Sequence, residues 1–346
     1  MPHAAGSAAR REDAPVRGSR AAGWPLPLAS ALVALVALLA PLGTASHAEE
    51  PRAARQAFVT NQTGDSLSIV DLAAGVAAPE IAIGGKPAGV AVAPDGRFAY
   101  LTAPESKELI VVDAATATIA ARVPVGQGPL GVAVHPDSGT VYVADWYEHR
   151  LYAVDARTHA IAGHVDVGHS PSGVAVTPDG KTILTADRDS NEVSLIDAAT
   201  FTRTGRVGVG ARPFGLTIDD KGQRAYTANV ASDDVSVIDL AAGKLVGTVK
   251  VGRRPYAVAL AGGRGFVTNQ YSATVTVFDL ATLAVIKTLD VGDYPEGIAA
   301  DATGTAVYVA CWDVDRLERI DTATLAVTAR IPVGGGPRAF GQFLRP

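Results

Sequence analysis

The sequence predicts an all-β fold, a seven-bladed β-propeller, because two independent markers repeat along it with one shared period. The first is a Gly-x-x-Pro motif followed by a short apolar stretch, and the second is an aspartate that closes an apolar run such as Val-Ser-Val-Ile-Asp. Each marker occurs seven times, and successive copies lie 42 residues apart except for one step of 40. The glycines are Gly84, Gly126, Gly168, Gly210, Gly252, Gly292 and Gly334, and the aspartates are Asp71, Asp113, Asp155, Asp197, Asp239, Asp279 and Asp321.

Each repeat divides into four short strands, as the unit after Gly126 shows. Its apolar segments, separated by turn-forming residues, are 130–134, 141–144, 151–155 and 161–167. Four antiparallel strands in each unit predict one propeller blade. The Pro-Asp-Gly sequences at 94–96 and 178–180 indicate hairpin turns, because proline fixes φ and glycine tolerates positive φ.

The first repeat lacks an innermost strand, and the end of the chain supplies one. The repeat begins at Ala57 with the second strand of a blade, whereas residues 338–344 match an innermost strand with nothing after it. We expect this segment to complete the first blade and close the ring, which also removes an unpaired sheet edge. The predicted organisation is an export signal over 1–48, a linker over 49–56 and the propeller over 57–346.

Residues 1–48 have the features of an export signal peptide. Four arginines lie in the first 20 residues, residues 26–42 are uncharged, and Ser46-His47-Ala48 places small residues at the usual cleavage spacing. We therefore expect a periplasmic or secreted protein, cleaved near Ala48, with no transmembrane segment in its mature chain. An uncleaved membrane anchor is the alternative, although the uncharged run is short for a span of about 20 residues.

Composition excludes several classes of site and partner. The net charge is −5, which argues against a dedicated duplex-DNA binder with a basic surface. The single cysteine, Cys311, excludes an intrachain disulfide, a Cys-rich zinc site and a Cys-x-x-Cys-His haem attachment. The chain has no phosphate loop, zincin motif or serine nucleophile elbow. We therefore predict no catalytic residue, no metal and no cofactor.

A Phe-Val-Thr-Asn tetrapeptide occurs twice in the repeats, at 58–61 and 266–269, and the stretches 171–180 and 235–239 carry related flanking sequences. With these motifs the chain resembles the YVTN-repeat β-propeller family over residues 57–346. The resemblance implies a binding or scaffold protein of the bacterial envelope, and related propellers include lactonases. A fold of this kind does not decide the activity.

Alternating strand direction sorts the loops onto two faces. The Gly-x-x-Pro loops and the loops after the Val-Thr-Asn strands surround one end of the central channel, which we call the mouth face. The Pro-Asp-Gly turns and the turns at the repeat aspartates share the opposite face. We expect those aspartates to accept hydrogen bonds from backbone amides of their own turns, which is a structural role.

The mouth face is where the repeats differ most, and a unique site in a ring of similar blades requires such differences. The predicted ligand-binding residues are Trp146, His169, Arg188, Arg212, Arg254, Tyr256, Glu296, Trp312 and Arg338. Arginine suits carboxylate or phosphate, and exposed aromatic rings offer a stacking surface. The pattern favours a monomeric binding or scaffold module for a protein or small ligand of anionic or aromatic character. The alternative is that these side chains pack between blades or solubilise the loops.

Two other functions remain open from the sequence. A lactonase-like hydrolase would hold a metal with acids and asparagines around the mouth, a set that Asp145, Asp187, Asn229 and Asn269 could imitate, although turn formation is the simpler role. Arginine and tryptophan together could bind single-stranded nucleic acid. Cys311 occupies the same repeat position and is either a reactive thiol or copper ligand, or an inert packed residue.

We predict that the mature protein begins near Glu49, because a basic start, an uncharged run and a small-residue cleavage site follow one another in that order. N-terminal sequencing of protein from the periplasm or medium checks this. Retention of residues 1–40 in cytosolic protein would contradict it.

Overall fold

The computed structural model of the chain describes residues 55–345, so the predicted export signal and nearly all of the predicted linker lie outside it. Within this range, no helix is both long and apolar enough to cross a membrane. The strands form seven antiparallel sheets, each one blade of a propeller, which confirms the predicted fold class.

Blades 2 to 7 begin at the channel and end at the rim, whereas blade 1 begins at its second strand. Strands are numbered in chain order. Blade 1 contains β1 (Gln56–Asn61), β2 (Ser66–Asp71), β3 (Val76–Ala77) and β4 (Ile81–Ala82). Blade 2 contains β5 (Val90–Val92), β6 (Phe98–Ala103), β7 (Glu108–Asp113) and β8 (Thr118–Pro124). Blade 3 contains β9 (Pro129–Val134), β10 (Thr140–Asp145), β11 (Arg150–Asp155) and β12 (Ile161–Asp166). Blade 4 contains β13 (Pro171–Val176), β14 (Thr182–Asp187), β15 (Glu192–Asp197) and β16 (Thr202–Gly208).

The remaining blades repeat this order. Blade 5 contains β17 (Pro213–Ile218), β18 (Arg224–Asn229), β19 (Asp234–Asp239) and β20 (Lys244–Lys250). Blade 6 contains β21 (Pro255–Ala261), β22 (Arg264–Asn269), β23 (Thr274–Asp279) and β24 (Val285–Asp290). Blade 7 contains β25 (Pro295–Ala300), β26 (Ala306–Cys311), β27 (Arg316–Asp321) and β28 (Ala326–Pro332). Short 3-10 helices at the mouth face are Arg188–Ser190, Gln270–Ser272 and Trp312–Val314, and β29 (Leu344–Arg345) ends the described chain.

The C-terminal segment closes the ring by pairing with β1, as the sequence predicts. β29 pairs with β1 in antiparallel register, and the Phe58 amide donates to Phe343 O at 2.9 Å. On its other side the segment accepts a hydrogen bond from the Val90 amide to Phe340 O at 2.9 Å, which ties it to blade 2 as well. The segment is less regular than predicted over 338–344, because Ala339 and Gly341 have φ angles of +43° and +129°.

Burial follows the position of a strand within its blade. The middle strands are buried on both faces because sheets of neighbouring blades cover them, as the burial of five of the six residues in β14 shows. The rim strands alternate between more and less exposed positions, as in β16. The core therefore consists of layers between adjacent blades.

The repeat aspartates hold their turns, which confirms the structural role that the sequence predicts for them. Asp113 Oδ1 accepts hydrogen bonds from the amides of Ala115 and Thr116, both at 2.9 Å. These bonds favour the ionised carboxylate and lower its pKa. The same capping lowers the pKa of Asp155, Asp197, Asp279 and Asp321.

Threonine side chains tie adjacent blades together near the mouth face. Thr60 Oγ1 donates to Ala88 O at 2.8 Å, and Thr268 Oγ1 donates to Glu296 O at 2.8 Å. In each case the acceptor lies at the start of the inner segment of the next blade. The threonine of the Val-Thr-Asn strand is therefore a contact between blades.

We predict that deletion of residues 336–346 strongly destabilises the propeller, because it removes buried aromatic side chains and exposes the edge of β1. Phe343 is fully buried, so Phe343→Ala alone should lower the free energy of unfolding by about 3–5 kcal/mol in denaturant titration. The control is Gln342→Ala in the same segment, where the side chain is exposed. An unchanged melting temperature of the truncated protein would contradict closure by this segment.

Candidate functional site at the mouth face

The Gly-x-x-Pro loops present the side chain that precedes each proline from an unusual backbone conformation. Lys86, Ser170, Arg212, Arg254 and Tyr294 all have φ angles between 51° and 57°, a region that non-glycine residues seldom occupy. A side chain of the preceding blade fixes the loop in several copies. The amide of Arg212 donates to Asn191 Oδ1 and that of Arg254 donates to Asp233 Oδ1, both at 2.8 Å. The loops are thus held rigidly.

Three of the predicted ligand-binding residues meet in a buried ionic cluster, formed by Tyr256, Gln270, Glu296 and Arg338. Arg338 donates from Nε and Nη2 to Tyr256 Oη at 2.8 and 2.6 Å, and its Nε lies 3.2 Å from Glu296 Oε2. Gln270 Nε2 donates to Glu296 Oε1 at 2.6 Å. Burial raises the pKa of Glu296, while the charge of Arg338 opposes that shift. These side chains bind one another, and Tyr256 and Glu296 are only 3% and 7% exposed.

An aromatic cluster joins the inner strands of blades 5 and 6 to the C-terminal segment near the mouth face. The ring of Phe214 lies 4.5 Å from that of Tyr256 and 4.9 Å from that of Phe340, between centroids. Trp146 packs against the outer side of this cluster, 6.4 Å from Phe214. A cavity of about 360 Å³ continues along the channel past Phe340 towards the opposite face, with mainly alanine, valine, leucine and isoleucine in its walls. Phe340 therefore belongs both to the aromatic cluster and to the wall of the cavity.

Most of the predicted basic residues have partners within the chain. The Arg188 guanidinium lies 5.3 Å from the centroid of Trp146 and donates to Asp189 at 2.6 Å. His169 is exposed and stacks on His149, with the two ring centroids 4.6 Å apart. The Arg254 guanidinium stacks on Tyr271 in the same way as Arg188 on Trp146, at 4.7 Å.

Arg212 and its neighbour in the next loop, Arg253, are the exceptions. Both are exposed, and neither forms an ion pair with another residue of the 55–345 range. They lie in the consecutive Gly-x-x-Pro loops that lead into β17 and β21. On the mouth face of the described chain, the exposed guanidinium groups without an ion-pair partner therefore lie on blades 5 and 6.

A pocket between blades 6 and 7 is lined by residues that lie outside the predicted ligand-binding set. The pocket has a volume of about 330 Å³, and we call it the tyrosine pocket; its lining residues are Arg253, Gln270, Tyr271, Ala273, Asp293, Tyr294 and Asp313. The rings of Tyr271 and Tyr294 meet edge to face at 5.7 Å, and Trp312 lies 6.1 Å beyond Tyr294. The sequence signal was present, because Asp293-Tyr294 departs from the other Gly-x-x-Pro loops.

The asparagine position of the repeats is structural. Asp145 accepts four backbone hydrogen bonds, from the amides of residues 127, 128, 147 and 148 at 2.6–3.0 Å. Asp187 accepts from the hydroxyls of Thr185 and Ser194, and Asn229 donates to two side chains of β19. Among residues 55–345, no three His, Cys, Asp or Glu side chains are grouped closely enough to hold a metal ion. Each member of the set that could imitate a lactonase centre, Asp145, Asp187, Asn229 and Asn269, is thus hydrogen-bonded within its own blade.

Cys311 is fully buried, so it does not fit a reactive thiol or an accessible copper ligand. Burial raises the pKa of its thiol to about 12, which keeps the group protonated at neutral pH. The interpretation as an inert packed residue is the one that fits this environment.

We predict that Asp187→Asn stabilises the protein at neutral pH. Burial raises the pKa of Asp187 to about 6 from 3.8, so the folded state binds more protons than the unfolded state between these values. The free energy of unfolding therefore falls as pH rises through that window. Asparagine occupies the same position in other repeats, as Asn229 shows. The substitution should add about 1–3 kcal/mol at pH 7 and little at pH 4 in urea titrations.

The matched control is Asp145→Asn. Its carboxylate accepts four amide hydrogens, so an amide group there leaves some donors unpaired and should destabilise by about 1–3 kcal/mol. Equal effects of the two substitutions, or a pH-independent effect of Asp187→Asn, would contradict this account.

Comparison with known proteins agrees with the fold. Similar solved structures include hydrazine synthase from Kuenenia stuttgartiensis (21% identity, TM-score 0.67, 73% of this chain and 88% of that chain). A functionally unknown protein from Desulfotomaculum acetoxidans DSM 771 is similar at 16% identity, with a TM-score of 0.72 over 82% of this chain and 98% of that one. The dihydro-heme d1 dehydrogenase NirN, solved in complex with DHE, is similar at 16% identity and a TM-score of 0.64, over 83% of this chain and 75% of that one.

At these identities the likeness shows a shared fold. No curated protein sequence matches the chain. The profile of the YNCE-like beta-propeller family, however, matches residues 13–343, and the chain is therefore a member of that family.

Proposed function

We propose that the protein is an exported binding or scaffold module whose partner contacts the mouth face. The observation that carries the proposal is the position of its exposed aromatic side chains. Tyr147, Tyr271 and Tyr294 are 69%, 48% and 39% exposed, and all three lie in mouth-face loops. Exposed tyrosines on rigid loops are typical of protein-binding surfaces, because they bury much area at low entropic cost.

Charge supports an anionic group on the partner, opposite Arg212 and Arg253. These two side chains keep their guanidinium groups free, whereas Arg188, Arg254 and Arg338 bind residues of their own chain. Arginine pairs with carboxylates through two parallel hydrogen bonds. A polypeptide with acidic and aromatic side chains therefore fits this surface best.

The proposal extends to the location and the finer family of the protein. A periplasmic or secreted site of action follows from the signal-like residues 1–48, and the repeats 58–61 and 266–269 support a YVTN-type propeller. Together they support an envelope protein that binds its partner through a rigid ring of loops.

We predict that Arg212→Ala combined with Arg253→Ala weakens partner binding more than tenfold, about 1.4 kcal/mol. The partner is first captured from an extract of the source organism on immobilised protein, identified by mass spectrometry, and then titrated in pure form. Melting temperature should barely change, because exposed charges contribute little to stability.

The control is Lys181→Ala combined with Lys221→Ala, two exposed lysines in turns of the opposite face. Weaker binding by the lysine variant, with full binding by the arginine variant, would show that the partner contacts the opposite face and would contradict the proposal. Retention of single-stranded oligonucleotides that is lost at high salt would favour nucleic-acid binding over a protein partner.

A further inference from the structure

We infer that the tyrosine pocket between blades 6 and 7 binds an organic cation that carries N–H donors, a protonated amine or a guanidinium group. The inference deepens the proposed function and rests on it for the biological source of the cation. Its two grounds are the aromatic walls and the free carboxylates at the rim.

The walls are tyrosine rings that suit a cation. Tyr271 already stacks on a cation of its own chain, because the Arg254 guanidinium lies 4.7 Å from its centroid. Tyr294 is 39% exposed, and no Lys or Arg of the described chain lies over its ring. Trp312 continues the aromatic surface behind it. A cation that enters the pocket therefore meets an unused ring face.

The floor is a polar side chain held in place. Gln270 lines the pocket and is only 6% exposed. Its Nε2 donates to Glu296 Oε1 at 2.6 Å, which fixes the orientation of the amide. This bond joins the floor of the pocket to the buried ionic cluster.

The rim carries more negative than positive charge. Asp293 and Asp313 are exposed, and neither carboxylate forms an ion pair with the described part of the chain. Arg253 is the one basic residue in the lining. Two carboxylates against one guanidinium favour a cation in the pocket, and Arg253 opposes it. The two aspartates and Arg253 should therefore change affinity in opposite directions.

The test is isothermal titration calorimetry of the purified exported protein with methylguanidinium, tetramethylammonium, Nα-acetyl-argininamide and acetate. We expect methylguanidinium to bind at least threefold more tightly than tetramethylammonium, which has no N–H to donate to the carboxylates of Asp293 and Asp313. Asp293→Asn with Asp313→Asn should weaken methylguanidinium binding at least fivefold, and Tyr294→Ala should do the same. Arg253→Gln should strengthen it two- to threefold.

The control variant is Lys221→Ala, an exposed lysine of the opposite face, which should leave methylguanidinium binding unchanged. Tighter binding of Nα-acetyl-argininamide than of methylguanidinium identifies the cation as a basic side chain of the partner, and the reverse order identifies a small free cation. Both results support the inference.

Three results would overturn it: preferential binding of acetate, equal affinity for tetramethylammonium, or no effect of the aspartate pair. They leave the proposed function standing, because Arg212 lies outside the tyrosine pocket and Arg212→Ala alone tests partner binding separately.

Discussion

The propeller depends on the close approach of neighbouring inner strands near the mouth face. A Cβ on Gly131 would overlap the carbonyl oxygen of Ser172, and one on Gly297 would overlap that of Ala339. Glycine follows the Pro-x pair in five of the seven repeats, and there it lets adjacent blades pack backbone against backbone. Threonine hydroxyls then donate hydrogen bonds to backbone carbonyls of the next blade, as Thr102 Oγ1 does to Leu130 O at 2.6 Å. Buried backbone acceptors need such partners, so the glycine and the threonine of the repeat act as one unit.

The candidate site lies beside the two repeats that lack this glycine. The second residue after the repeat proline is Ala257 in blade 6 and Ala339 in the C-terminal segment, and it is glycine in the other five repeats. The residues before these alanines are Tyr256 and Arg338. These two departures flank blade 7, and their large side chains meet Glu296 in the buried ionic cluster. The desolvation of buried charges offsets much of the free energy that their pairing contributes, so such a cluster adds little to stability. Its main effect is to fix the positions of the side chains relative to one another. It gives the tyrosine pocket beside it a rigid floor.

The proposed binding role depends on the mouth-face side chains that have no partner in the described part of the chain. Arginines counted along the sequence overstate the positive charge of the mouth face, because Arg188 and Arg254 stack on aromatic rings of their own chain. The free groups are unevenly placed, with guanidinium groups on blades 5 and 6 and carboxylates at Asp293 and Asp313 on blade 7. A partner that carries both signs of charge and apolar surface matches this distribution, which is a common character of polypeptide surfaces.

The sequence alone determined the number of blades, the way the ring closes and the face on which the repeats differ. These features are local or periodic: strand alternation, turn residues and a constant spacing set them without reference to distant contacts. Only the tertiary structure decided which of the divergent side chains are free. Arg338 meets Tyr256, 82 residues earlier, because ring closure brings the last segment beside blades 6 and 7. Likewise Cys311 is buried, and Gln270 and Tyr294 share a pocket, because packing between blades sets exposure, and no spacing along the chain records it.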